Sequence, residues 1–215
     1  MATRHLYLVR HGQREPGPGN DDLGPNLTVL GWKQAHQAAR RLAALKIDVI
    51  HTSSLRRTME TAQILAVEQS NIPIRPSRLL WECIPAMPDF ALQWFTEHPD
   101  LGTGRLPENM RPWLGVWSEM ENVEQLQTDF EQARQAWEKY FIPAKGKDRY
   151  DIIVSHGNLI RYFVMRALQV PPENWVNTDI YNCSICEITI ETNGRPILVS
   201  HNDSGHLHSD QLTFF

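Results

Sequence analysis

Two histidines stand in the same setting. Val9-Arg10-His11-Gly12 and Val154-Ser155-His156-Gly157 each place His-Gly directly after a short apolar run. Read as buried strands, both runs put an imidazole at a strand carboxyl end, where open α/β sheets bind ligands. An imidazole there can act as nucleophile, base or metal ligand. Arg10 argues for an anion and against a metal. A guanidinium beside an apolar strand is costly unless it finds a negative partner, and it repels a cation. No metal and no cofactor are therefore expected. Gly12 permits close backbone approach, and Gly157 repeats the pattern.

Arg56 and Arg57 open a helix after Ser53-Ser54. A helix N-terminus favours phosphate through its free N–H groups and its dipole. With Arg10, one of the two can complete a fork around non-bridging oxygens. Glu82 follows Trp81 in a Pro-rich stretch. Under a lid, a carboxyl beside Trp81 would be raised in pKa and suited to general acid work.

The elements that must position these groups alternate. Leu6 to Val9 reads as a first strand, and Gln13 to Asn26 as a Gly/Pro-rich loop. Thr28 caps a helix running to about Leu45, with Leu30, Ala35, Ala38 and Leu42 near one face. Ile47 to His51 is a second strand. The hydroxyls of Thr52, Ser53 and Ser54 then cap a helix through Leu55, Met59, Ala62 and Leu65. Pro73 to Pro76 is a weak third strand, and Trp81 to Met120, with five prolines, reads as irregular. Val123 to Phe141 keeps the three-and-four spacing of an amphipathic helix. Asp151 to Ser155 is a strand and Asn158 to Leu168 a helix. Ile185 to Ile190, Asn193-Gly194 and Pro196 to Val199 form a hairpin. The expected architecture is a three-layer α/β/α domain over 1–215, its sheet mainly parallel with an antiparallel edge. A segment of about 83–120, carrying Trp94, Trp113 and Trp117, reads as an insertion or lid.

The bulk properties narrow the function. The net charge of −4 supplies no global basic field, so neither nucleic acid nor an anionic membrane is an expected partner. No apolar run nears the roughly 20 residues of a membrane helix. Nothing at the first residues reads as a signal peptide. Cys83, Cys183 and Cys186 are too few for a disulfide framework. Cys183 and Cys186 lie three apart on a strand and face opposite sides, which disfavours a redox or zinc pair. The expected compartment is the cytoplasm. His201, His206 and His208 read as part of a solvated tail.

The motifs together resemble the histidine phosphatase superfamily, the phosphoglycerate-mutase-like fold. Those motifs are Arg10-His11-Gly12 after LYLV, Ser53-Ser54-Leu55-Arg56-Arg57-Thr58-Met59-Glu60-Thr61-Ala62, Glu82 in LLWECIP, and His156-Gly157 after DIIVS. Residues 156–175 and the hairpin NCSICEITIETNGRP extend the likeness over most of the chain, toward the superfamily's Ser/Thr protein phosphatases. The resemblance implies His11 as the phosphorylated nucleophile and Glu82 as proton donor. It implies His156 as the second histidine, with Arg10, Arg57, His156 and Gly157 binding phosphate. Arg57 is preferred to Arg56 by its place before Thr58 and four before Thr61. The implied substrate is a phosphomonoester, small molecule or phosphoprotein, and a homodimer is admitted. Asp203-Ser204-Gly205 resembles a family stretch that would bring the tail near the site.

Two other readings use the same residues. One is a phosphoglycerate mutase or sugar-bisphosphatase. The mutases carry Ser-x-Trp-Asn after the first motif, where this chain has Gln13-Arg14-Glu15-Pro16. The other is a non-enzymatic scaffold that binds phosphorylated partners.

Overall fold

Strand β1 (Arg4–Arg10) is built from residues that leave almost nothing polar to solvate between Leu6 and Val9. Its side chains alternate across the sheet. Leu6 and Leu8 enter one apolar cluster, Tyr7 and Val9 another on the opposite face. Two clusters on two faces make a three-layer structure. The structure is a computed structural model that describes residues 2–19, 21–70, 72–98, 107–113, 116 and 123–214.

After β1 come α1 (Val29–Leu42), β2 (Val49–Ser53), α2 (Arg56–Glu68), β3 (Ile74–Ser77) and α3 (Asp89–Glu97). They are followed by α4 (Val123–Tyr140), β4 (Arg149–Ser155), α5 (Gly157–Leu168), β5 (Ile185–Ile190) and β6 (Pro196–Asp203). The sheet order is β3-β2-β4-β1-β5-β6. β3, β2, β4 and β1 are parallel, while β5 runs antiparallel to β1 and to β6. The mainly parallel α/β sheet with an antiparallel edge is thus as expected, the edge being the β5–β6 hairpin that turns at Asn193-Gly194. Helices α1 and α2 supply Ala35, Ala38, Ala39, Ala62 and Leu65 to one face. Helix α5 and the end of α4 supply Leu159, Phe163 and Tyr140 to the other.

Several local expectations need correction. Helix α1 is capped by Thr28, whose Oγ1 accepts from Gly31 N at 2.9 Å, but it stops at Leu42. Leu45 N turns back onto Leu42 O at 2.9 Å, a tight turn that ends the helix three residues early. Helix α2 is not capped by the serines. Its N-cap is Leu55, with no side-chain cap, because Ser53 is still the last residue of β2. The Pro-rich segment is not wholly irregular. Pro88 stands at the N-cap of α3, where a missing N–H is harmless, and Phe95 inside that helix is fully buried. Trp113 is buried edge-on to Trp175, ring centroids 6.0 Å apart, and Trp94 stacks on His98. Residues 99–106, 114–115 and 117–122, with Trp117, lie outside the described residues.

The tail is not simply solvated. His201 lies in β6 and His206 Nε2 donates to Cys183 O at 2.9 Å. Beyond it, residues 211–214 fold back onto the carboxyl end of β1.

Parallel pairing sets the register that matters. Val9 pairs with Val154 and Arg10 with Ser155, so His11 and His156 leave adjacent strands at the same level. Gly12 then passes under α1. A Cβ on Gly12 would lie 2.5 Å from Gly31 O, and one on Gly31 would lie 2.1 Å from Gln13 O. Only hydrogen fits at either contact, since both obstacles are backbone. Gly31→Ala is therefore expected to destabilise the protein by about 1–3 kcal/mol, the usual cost of overpacking. Urea unfolding measures it, and an unchanged midpoint would mean α1 can move away freely.

Candidate active site

The two strand-end imidazoles face each other. Their ring centroids are 5.2 Å apart with an interplanar angle of 63°. His11 is 4% exposed and His156 fully buried. Arg57, from the first turn of α2, bridges them. Its Nε donates to His11 Nε2 at 3.2 Å and its Nη2 donates to His156 Nδ1 at 3.1 Å.

The remaining partners assign the tautomers. His11 Nδ1 donates to the carbonyl of Gly12 at 2.7 Å, which leaves Nε2 as the lone-pair nitrogen. His156 Nδ1 accepts from Arg57, so its Nε2 carries the proton and donates to Ser53 Oγ at 2.9 Å. Both pKa values are pushed well below 6.5, first by burial and then by the positive charge of Arg57 and Arg10. Both rings are neutral at physiological pH. Burial also lowers Arg57, to about 10, which leaves it a cation.

Arg10 lies in the wall of the same cleft, with Gly157 against its guanidinium. Its Nη1 donates to Ile180 O at 2.6 Å and its Nη2 to Phe214 O, while its Nε has no hydrogen-bond partner among the described residues. Glu82 enters from the segment after β3. Its Oε2 is 3.9 Å from His156 Nδ1. The Trp81 indole beside it donates to Ser54 Oγ at 2.7 Å, which ties this segment to the turn before α2. Arg10, His11, Arg57, Glu82 and Gly157 line a cleft of about 360 Å³, joined by Arg14, Asn158, Arg161, Asp179 and Phe214. His156 stands behind it, fully buried. Arg56 points away and pairs with Asp21 on the loop before α1.

Arg10, His11, Arg57, Glu82, His156 and Gly157 thus meet at one end of the sheet. The cavity offers several cationic donors, a neutral imidazole whose Nε2 lone pair is held by Arg57, and a carboxyl group. That set suits transfer of a phosphoryl group to nitrogen, with charge on the equatorial oxygens neutralised by guanidinium. Among the described residues no group of three or more His, Cys, Asp or Glu could hold a metal ion.

A family model, the histidine phosphatase superfamily (branch 1), matches residues 6–204. The chain belongs to this superfamily. The mitochondrial serine/threonine-protein phosphatase PGAM5 of Rattus norvegicus is 32% identical over 217 residues, which cover 99% of this chain and 67% of that protein. The Caenorhabditis elegans Pgam5 phosphatase is also 32% identical, over 99% of this chain and 67% of its own length. Among solved structures, a phosphoglycerate mutase of Plasmodium falciparum covers the whole of both chains at 25% identity, with a TM-score of 0.59. A mycobacterial glucosyl-3-phosphoglycerate phosphatase shares the fold, with a TM-score of 0.65 at 22% identity over 94% of this chain and all of its own.

The superfamily relatives overturn one expectation. Both PGAM5 proteins are named mitochondrial, which contradicts the cytoplasmic assignment. That assignment rested on reduced thiols, and buried free cysteines do not distinguish one reducing compartment from another.

Some members of the site were not foreseen. Ser53 was read as a helix cap and is instead the partner of His156. Asn182, Gln34 and Thr213 support the His11 loop from elements far away in sequence. Asn182 lies in the turn before β5, between Tyr181 and Ser184, where residue type alone gives no signal.

Neutral buried imidazoles make stability depend on pH with a definite sign. Folded His11 and His156 resist protonation, whereas in the unfolded chain they take up protons below about 6.5. The unfolded state then binds more protons, so stability falls as pH drops from there. Each such ring adds up to about 1.4 kcal/mol per pH unit. Urea midpoints taken at pH 7.5, 6 and 5 are expected to decline, and more shallowly in His156→Asn. A flat profile would mean these rings are not held neutral.

Proposed function

We propose that the chain hydrolyses phosphomonoesters through a phosphohistidine formed on His11 Nε2. One observation carries this reading: the Nδ1 proton of His11 is held by the Gly12 carbonyl while its Nε2 lone pair faces the arginine-lined cleft. An entering phosphoryl group replaces Nε2 as the partner of Arg57. Nε2 attacks phosphorus in line, and the N–P bond forms as the ester P–O bond breaks. The ring becomes cationic, and the Gly12 carbonyl stabilises its Nδ1–H. Arg10 and Arg57 hold the equatorial oxygens, with Gly157 leaving room beside them, and His156 joins them by taking a proton at Nδ1 as the phosphate dianion enters. Glu82 gives its proton to the departing alkoxide. As a carboxylate it then takes one from the water that breaks the N–P bond, which releases inorganic phosphate and neutral His11.

The substrate is a phosphorylated molecule. The names of the relatives support a phosphoserine or phosphothreonine protein in a mitochondrial setting. The likeness to a phosphoglycerate mutase keeps phosphoglycerates as a second class, separated by assaying them beside phosphopeptides. We treat residues 1–215 as one phosphatase domain.

His11→Ala is expected to abolish turnover of every substrate, and EDTA to leave wild-type turnover intact. Glu82→Gln should slow alkyl phosphates by roughly 10²–10⁴-fold, the range of general acid catalysis. It should slow nitrophenyl phosphate far less, because that leaving group hardly needs a proton. Equal losses on both would remove Glu82 from the acid role. Full activity of His11→Ala would remove the mechanism.

A further inference from the structure

Two peptide units flank the α-carbon of Gly12, and each one touches His11. The first joins His11 to Gly12. The second joins Gly12 to Gln13, and its carbonyl holds the Nδ1 proton of His11. Both units are gripped by buried side chains that the mechanism does not use.

Asn182 Nδ2 donates to His11 O at 3.0 Å, and Gly12 N donates to Thr61 Oγ1 at 3.1 Å, so the first unit is held at both ends. On the second unit, Gln13 N donates to Gln34 Oε1 at 2.8 Å. The two grips are joined. Gln34 Nε2 donates to Thr213 Oγ1 at 2.9 Å, and Thr213 Oγ1 donates to Asn182 Oδ1 at 2.9 Å. A closed ring therefore runs from Gln13 N through Gln34, Thr213 and Asn182 to His11 O. Gln34 and Asn182 are fully buried. The second hydrogen of the Gln34 amide goes to Gln211 O at 2.7 Å, and Asn182 N donates to Thr213 O at 2.9 Å. With these partners neither amide can flip without breaking bonds in a buried site.

We propose that Gln34, Asn182 and the tail residue Thr213 are positioning residues that fix the tautomer and direction of the His11 ring. The route is the peptide group. Delocalisation couples the N–H of Gln13 to the carbonyl of Gly12, so an acceptor on that N–H enriches the carbonyl oxygen. The oxygen then holds Nδ1–H more firmly and keeps Nε2 as the attacking nitrogen. Residues 211–214, distant in sequence, are thereby part of the nucleophile's support.

The proposal rests on His11 as the nucleophile, and the test separates the two ideas. Thr213→Val removes the hydroxyl that closes the ring at nearly constant shape, and Thr213→Ser restores it. With nitrophenyl phosphate, Thr213→Val is expected to lower kcat about 10–100-fold, as removal of supporting partners does elsewhere. Inhibition by inorganic phosphate should not change, because Arg57 is untouched. Thr213→Ser should recover most of kcat. Nitrogen NMR of the His11 ring should pass from a single Nδ1–H tautomer to a mixture in Thr213→Val. Unchanged kcat and an unchanged tautomer would overturn the proposal. So would a loss of phosphate affinity as large as the loss of kcat. If Thr213→Val does not fold, Gln34→Met carries the same test, since at similar length it removes both the acceptor on Gln13 N and the donor to Thr213. A single tautomer with normal kcat in that variant would again overturn it. The NMR readout does not depend on turnover, so it stands even if the phosphohistidine reading fails.

Discussion

A buried cation between two uncharged imidazoles governs this end of the molecule. Arg57 loses hydration on entering the protein, and it donates to two neutral imidazole nitrogens, with Glu82 across the cleft as its chief opposite charge. Neutral acceptors recover less of that hydration than an anion would. The site is thus left wanting negative charge, and a phosphoryl group supplies it. Burial first, and the same cation second, keep His11 and His156 unprotonated. One arrangement therefore creates both the affinity for phosphate and the free lone pair that can attack it.

The rest of the fold serves that arrangement. Parallel register between β1 and β4 brings the two His-Gly turns level, and β2 ends alongside so that Ser53 reaches His156. The contact between Gly12 and Gly31 lets the His11 loop pass close beneath α1. The hairpin β5–β6 and the returning tail close the other side, with Ile180 O and Phe214 O both accepting from Arg10. Backbone carbonyls at those places orient the guanidinium without cancelling its charge.

Much of this was legible in the chain. The apolar runs before His11 and His156, the cap at Thr28 and the Asn193-Gly194 turn follow from short-range rules, and they gave the fold class and the succession of strands and helices along the chain. Arg57 was separable from Arg56 only through the family resemblance. The supports were not legible for a physical reason. Gln34 occupies a helix position that polar residues often fill at a surface, and its burial depends on a tail almost 180 residues later. Carbonyl acceptors such as Phe214 O leave no trace in residue type. Pro88 marked a break in the pattern but in fact begins α3, because proline is as compatible with a helix start as with a loop. The cytoplasmic assignment failed because thiol content reports redox state, not address.

The central claim is that His11 Nε2 becomes bonded to phosphorus during turnover. Rapid-quench mixing with a radiolabelled phosphomonoester, followed by alkaline digestion and peptide mapping, tests it directly. The account predicts an acid-labile, base-stable phosphoryl group on the peptide containing His11, formed and lost at rates no slower than turnover. Active enzyme that carries no such label, or carries it on another residue, would contradict the account.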